Sequence, residues 1–125
     1  MGENESEYSV LYVDNDRFMR YTVSGYFEKM TDNYNLESVA GIDEAYSKLE
    51  DEEFDALITE YQLNYSSLGM ELSHQAQNRH GIPVIMYTTE AQKEAEFLEE
   101  APDDPRGFVA KGNIEELTRE VDRIL

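Results

Sequence analysis

The chain has 125 residues, with 28 Asp and Glu against 10 Lys and Arg for a formal net charge of −18, and it contains neither Cys nor Trp. The length suits one domain, and a monomer of that size exposes about 6,900 Å², so one net negative charge falls on roughly every 380 Å². That density disfavours direct contact with nucleic acid or with an anionic membrane surface, and the lack of Cys excludes disulfides and thiolate metal sites.

Acidity of this degree accompanies disorder in some chains, but 40% of the residues here are hydrophobic and fall in periodic runs, as in a folded domain. A solvated acidic surface of the kind halophiles use accounts for the charge and for a total of only four Lys. The alternative is a dedicated basic partner. No apolar run approaches about 18 residues. Met1 to Glu7 is acidic and polar, which reads as a loose tail ahead of a domain over 8–125 rather than a signal peptide, and places the chain in the cytoplasm.

Tyr8 to Val13 is a short apolar run that stops at Asp14-Asn15-Asp16, a buried strand emptying into an acidic turn. Met19, Val23, Tyr26, Phe27 and Met30 then form one face of a helix with Asp16 as its N-cap. Leu36 to Ala40 predicts a second strand, and Gly41 opens a helix carrying Ala45 and Leu49. Phe54 to Thr59 predicts a third strand, which stops at Glu60. A loop over Asn64 to Gly69 leads to a helix with Leu72 and Ala76. Pro83 to Tyr87 predicts a fourth strand, ending at Thr88-Thr89. Ala91 to Leu98 reads as an acidic helix, and Pro102 to Pro105 as an irregular loop. Phe108 to Ala110 predicts a fifth strand, ending at Lys111. Asn113 and Glu116 form a capping-box-like pair before a helix carrying Ile114, Leu117, Val121, Ile124 and Leu125.

Five apolar strands alternating with five helices predict an α/β fold with a doubly wound parallel sheet, because the strands are too continuously apolar for a sheet with one wet face. Sites in such sheets form outside the carboxyl ends of the strands. The residues ending the apolar runs are Asp14, Asn15 and Asp16, then Glu60, then Thr88 and Thr89, then Lys111. Carboxylates, hydroxyls and one ammonium therefore meet at one edge. Asp55, the other acid near the third strand, precedes the strand core and belongs at the opposite edge. His74 and His80 read as surface or capping residues, and the nine Tyr as scattered half-buried side chains, with Tyr87 and Phe108 the aromatics nearest the site.

The stretches LYVDND (Leu11 to Asp16), FDALITEYQL (Phe54 to Leu63), IPVIMYTTEA (Ile82 to Ala91) and GFVAKG (Gly107 to Gly112), in this order, resemble the CheY-like receiver domains of two-component response regulators. The resemblance runs from about Val10 to Leu125 and implies a flavodoxin-like sheet with strand order 2-1-3-4-5. In that family an aspartate ending the third strand accepts a phosphoryl group from a histidine kinase, and an acidic pair after the first strand holds Mg²⁺. A Thr or Ser and a Lys bind the phosphoryl group, and an aromatic on the fifth strand reports the switch. By resemblance these roles fall on Glu60 as phosphoacceptor position, on Asp14, Asn15, Glu60 and Gln62 as a degenerate Mg²⁺ site, and on Thr88, Lys111 and Phe108.

Two departures from the pattern stand out. Glu60 replaces the family's Asp and reaches about 1.5 Å further, which displaces a nucleophile enough to cost orders of magnitude in rate. Asn15 is neutral where the family has a Mg²⁺-ligating acid, so the metal site is weakened. With Lys111 facing Asp14 and Glu60, the local charge falls from −2 to −1, and Glu60 reaches toward Lys111 and Thr88. The loop after Glu60 also lacks the usual Pro and is one residue longer. The expectation is a non-enzymatic, phosphorylation-independent receiver resting in an activated-like state. Alternatives are a working phosphoacceptor using Glu60, with Gln62 and Glu90 tuning water attack, and a purely structural or dimerisation module. Partners implied are a sensor histidine kinase or an output domain in a longer chain, and a homodimer through the last helix and fifth strand.

Overall fold

Successive residues of a strand face opposite sides of its sheet, and in this chain both sides are apolar. The computed structural model describes residues 8–30, 32–63, 68–100 and 106–125. Among these, five strands, β1 (Tyr8–Val13), β2 (Tyr34–Val39), β3 (Ala56–Thr59), β4 (Val84–Thr88) and β5 (Arg106–Ala110), alternate with five helices. The helices are α1 (Arg17–Met30), α2 (Ile42–Asp51), α3 (Leu68–His80), α4 (Glu94–Glu100) and α5 (Ile114–Ile124). Neighbouring strands are parallel and the order is β2-β1-β3-β4-β5, as the sequence predicts. The acidic tail (1–7), most of the predicted Asn64 to Gly69 loop (64–67) and the Pro102 to Pro105 loop lie outside the described residues. Among the described residues, no helix is long and apolar enough to cross a membrane.

The two sheet faces build two apolar layers. Val10, Tyr12, Ala56, Ile58, Ile85, Tyr87 and Val109 pack beneath Val23 and Phe27 of α1 and Leu117 and Val121 of α5. Leu11, Val13, Leu57, Val84 and Met86 pack beneath Ile42, Ala45 and Leu49 of α2, Leu72 and Ala76 of α3, and Phe97 of α4. Each large apolar side chain buried this way contributes roughly 1.5–3 kcal/mol, so the sheet is anchored from both sides independently of its polar edge.

The element boundaries differ from those predicted, for identifiable reasons. β2 runs over Tyr34–Val39 rather than Leu36 to Ala40, because the buried Tyr34 ring packs on Tyr8 and Phe27 while its hydroxyl donates to Asp122. β3 starts at Ala56, and Phe54 is buried without joining the ladder. β4 starts at Val84 and extends to Thr88: Pro83 has no N–H to donate, although its carbonyl accepts from the Leu57 amide at 3.0 Å. β5 starts two residues before Phe108, at a buried arginine. The Arg106 guanidinium donates to Gln77 Oε1 and to the Phe97 carbonyl and lies 4.5 Å from the Phe97 ring centre. The Ala91 to Leu98 segment is a 3-10 turn (Ala91–Lys93) followed by α4. Met30, predicted on the buried face of α1, is the helix's last residue and is exposed, as are Phe18 and Tyr21.

Gly69, expected in a loop, lies buried in the first turn of α3, where its amide donates to the Tyr61 carbonyl at 2.9 Å. A Cβ at this position would fall 2.0 Å from the Glu60 carbonyl oxygen and 2.6 Å from that of Tyr61. The start of α3 is thus seated directly on the backbone after β3. We expect Gly69→Ala to lower the unfolding free energy by about 3 kcal/mol or more, since it must push that backbone away. Gly25, in the middle of α1, has nothing within 4 Å of the corresponding Cβ position. Gly25→Ala should therefore stabilise by about 0.5–1 kcal/mol through helix propensity. Urea unfolding of the two variants checks both signs.

Candidate functional site

The sheet's hydrogen-bond ladder runs one residue past each strand that feeds the polar edge. The Asp14 amide donates to Val39 O (3.1 Å), the Glu60 amide to Val13 O (3.0 Å) and the Lys111 amide to Thr88 O (2.9 Å). Three chemically active residues are thereby held at fixed backbone positions around β1 and β3, where the strand order reverses and open α/β sheets form their crevice.

Their side chains converge. Lys111 Nζ lies 2.6 Å from Glu60 Oε2 and 2.9 Å from Asp14 Oδ2. Both acids are buried, Asp14 completely and Glu60 to 6% exposure, so each needs a full set of donors. Glu60 Oε1 accepts from the Tyr61 amide at 2.7 Å. Asp14 Oδ1 accepts from the Asp16 amide at 2.9 Å, and Oδ2 from the Tyr12 hydroxyl at 2.7 Å. The Asp14 carbonyl accepts from Arg20 of α1 at 2.7 Å. Asp16 caps α1, its carboxylate accepting from the Met19 amide at 3.2 Å.

The titration behaviour follows from this packing. Burial by itself would lower the Lys111 pKa, but the hydrogen bonds and charges of Glu60 and Asp14 outweigh it and hold the ammonium above its ordinary value. Tyr12 is pushed far above the usual phenol range, by burial first and then by the neighbouring Asp14 carboxylate. Burial also raises Tyr87, with the Gly112 amide and Lys111 opposing it.

A shallow cleft of about 250 Å³ opens over this cluster, lined by Asn15, Asp16, Glu60, Gln62, Thr89, Glu90 and Lys111. Asn15 and Gln62 are exposed at its rim. Thr88 is fully buried, and its hydroxyl accepts from the Glu90 amide at 3.1 Å. Phe108 is half-buried and packs on Phe97, with ring centres 6.4 Å apart, away from the carboxylates. Asp55 accepts from the Ser9 amide at 2.7 Å, at the strand-start edge, and His80 lies 3.4 Å from Glu50. Among the described residues, no group of three or more His, Asp or Glu side chains is disposed to hold a metal ion.

Tyr12 escaped sequence reasoning altogether, and Tyr87 was placed beside the site without its hydrogen bond. Tyr12 donates to Asp14, and the Tyr87 hydroxyl accepts from the Gly112 amide at 2.8 Å, in the turn after Lys111. A signal existed for the first: Tyr12 and Asp14 are two residues apart at a strand end, which puts them on one face.

With this geometry in view, the comparisons are consistent. The sequence pattern described as the response regulator receiver domain matches residues 10–122. TrrA of Thermotoga maritima, a response regulator solved in complex with Mg²⁺–BeF, superposes with a TM-score of 0.79 at 18% identity, covering 94% of this chain and 99% of that one. The chemotaxis response regulator CheY4 of Vibrio cholerae gives 0.78 at 25% identity, covering 96% and 100%. A chain of the complex between the P1 domain of CheA3 and CheY6 from R. sphaeroides gives 0.75 at 22% identity, covering 95% and 97%. No curated protein sequence matches the chain. On its sequence and its fold alike, the chain belongs to the response regulator receiver domain family of two-component signalling.

Proposed function

We propose that this receiver takes its signalling state without a phosphoryl group, because its own charges already fill the pocket. The observation that carries the reading is the Lys111 ammonium held between Glu60 and Asp14. Glu60, at the position where the family has its acceptor aspartate, spends one oxygen on Lys111 and the other on the Tyr61 amide. A nucleophile needs an oxygen free to move into line, and both oxygens of this carboxylate are held in place by these contacts. The same engagement weakens Mg²⁺ binding. Mg²⁺ asks for oxygens in near-ideal octahedral array at about 2.0–2.1 Å. Here two carboxylates are already bound to an ammonium, and Asn15 and Gln62 contribute only neutral amides.

In this reading residues 8–125 form the receiver unit, Phe108 and Thr88 keep their switch positions, and the chain is a signalling module rather than an enzyme. Its partner is a histidine kinase or an output domain in a longer chain. The R. sphaeroides complex, between a CheA P1 domain and CheY6, supports the kinase side. The β5–α5 face, including Phe108 and Ile114, is the surface for output contacts or self-association.

The direct test is Mg²⁺ titration with and without beryllofluoride, followed by amide NMR, on the protein and on an Asn15→Asp/Glu60→Asp double variant. We expect no saturable response from the protein at millimolar Mg²⁺ and a restored one in the double variant. A large saturable response in the unmodified protein, or stable labelling of Glu60 by a phosphodonor, would overturn the reading in favour of a working acceptor.

The pocket also predicts an alkaline weakness. Lys111 and Tyr12 both hold their protons more tightly folded than unfolded. Unfolding above the unfolded-state values, about pH 10 for Tyr and slightly higher for Lys, therefore releases protons, and stability falls as pH rises. Their contribution is complete below about pH 10 and is lost progressively above it. Urea midpoints measured between pH 8 and 12 (roughly the span of both titrations) should fall more steeply for the protein than for Tyr12→Phe.

A further inference from the structure

Two buried phenols flank the Lys111 bridge, and neither occupies a position to which the family assigns a role. Tyr12 of β1 and Tyr87 of β4 are fully buried. Their rings pack on each other beneath the pocket, with centres 6.3 Å apart. Two phenylalanines would fill the same layer without burying any polar atom, and a buried hydroxyl is unfavourable unless it is bonded. Where the two hydroxyls bond is therefore informative. Tyr12 donates to Asp14 Oδ2 at 2.7 Å, the oxygen that also faces Lys111. Tyr87 accepts from the Gly112 amide at 2.8 Å. Gly112 directly follows Lys111 and adopts a φ of 99°, a turn that L side chains resist. The same hydroxyl lies 3.9 Å from Met19 Sδ of α1, which places its proton toward the sulfur and leaves its lone pair for the amide.

We propose that Tyr12 and Tyr87 are a positioning pair that clamps the Lys111 bridge from below, one hydroxyl fixing the acid and the other fixing the turn that carries the lysine. The ring contact joins the two holds into a single unit spanning β1 and β4, the strands on either side of β3 and Glu60. The inference rests on the reading of a self-occupied pocket, because a clamped Lys111 is what keeps the pocket occupied. Its test needs neither Mg²⁺ nor a phosphodonor.

The readout is the Lys111 side-chain ammonium in protein labelled with ¹⁵N-lysine, where only four lysines compete for assignment. In the unmodified protein, its protons should be protected from exchange with water. Tyr12→Phe should accelerate that exchange at least about tenfold, the scale of one charged-group hydrogen bond, Tyr87→Phe about two- to tenfold, the scale of a neutral one, and the double variant more. Tyr34→Phe is the control: it removes another tyrosine hydroxyl of the same layer, the one bonded to Asp122, and should leave Lys111 exchange unchanged whatever it does to stability.

An unprotected Lys111 in the unmodified protein, or unchanged exchange in both pocket variants, overturns the clamp. So does an equal acceleration in Tyr34→Phe, which would mark general loosening. The two readings fail separately. A beryllofluoride response together with freed Lys111 in the Phe variants removes the phosphorylation-independent reading and leaves the clamp, while the opposite pattern removes the clamp alone.

Discussion

An ammonium held between two buried carboxylates is the interaction on which the polar edge of this domain depends. Such a group is expensive to assemble, because each ion gives up several kcal/mol of hydration that the mutual attraction only roughly returns. It exists here because the sheet supplies it ready-made. Asp14, Glu60 and Lys111 each hang from a backbone amide bonded to the neighbouring strand, and the strands are held by two apolar layers that owe nothing to the charges. The triad is thus a consequence of the fold's stability rather than its source. Removing one member would still be costly, since it leaves an uncompensated charge at a largely buried site.

The side-chain length at residue 60 decides what this edge holds. An aspartate on the same backbone would end about 1.5 Å short of the present carboxylate. Glu60 covers that distance, meeting Lys111 at 2.6 Å. Asn15 acts in the same direction from the rim. A third carboxylate there would add to Asp14 and Glu60 and favour a divalent ion, whereas the amide leaves the Asp14–Lys111–Glu60 group at −1. Under the proposed function the two residues act together, since Glu60 meets Lys111 while Asn15 adds no charge to the cleft.

How much of this was legible in the sequence divides along physical lines. The strands and their order of appearance were readable, because a strand buried on both faces must be apolar throughout and must stop where charges begin. Asp14, Glu60 and Lys111 were readable for the same reason, as the residues that end those runs. What failed depended on tertiary partners. Arg106 hid the start of β5, since nothing local shows that Gln77 and the Phe97 carbonyl will take its guanidinium. Tyr34 hid the start of β2 because its bond to Asp122 spans most of the chain. Thr88 was readable as the end of the fourth apolar run, but its bond to the Glu90 amide was not. Tyr12 looked like one scattered tyrosine among nine until its hydroxyl was found on Asp14. Gly69 looked like a loop glycine because the backbone it must clear belongs to residues 60 and 61.

The net charge of −18 is reshaped by the same distinction between global and local. Most surface cations are spent on neighbouring acids: Lys48 on Glu37 and Glu52, Arg79 on Glu50, Arg119 on Glu116 and Arg123 on Glu120. Such exposed pairs are worth about 0–1 kcal/mol each and say little about partners. Arg17 and Lys29 differ, for neither has an acidic partner among the described residues, and both lie on α1 beside the exposed Phe18, Tyr21 and Met30. At the pocket the global field would draw cations inward, so an acidic domain should favour a divalent ion. The opposing force is tethering. Lys111 is covalently part of the chain and held over both carboxylates, so its effective concentration there does not fall with dilution or change with the ionic medium. Local connectivity therefore holds Lys111 over both carboxylates whatever the net charge of the whole domain.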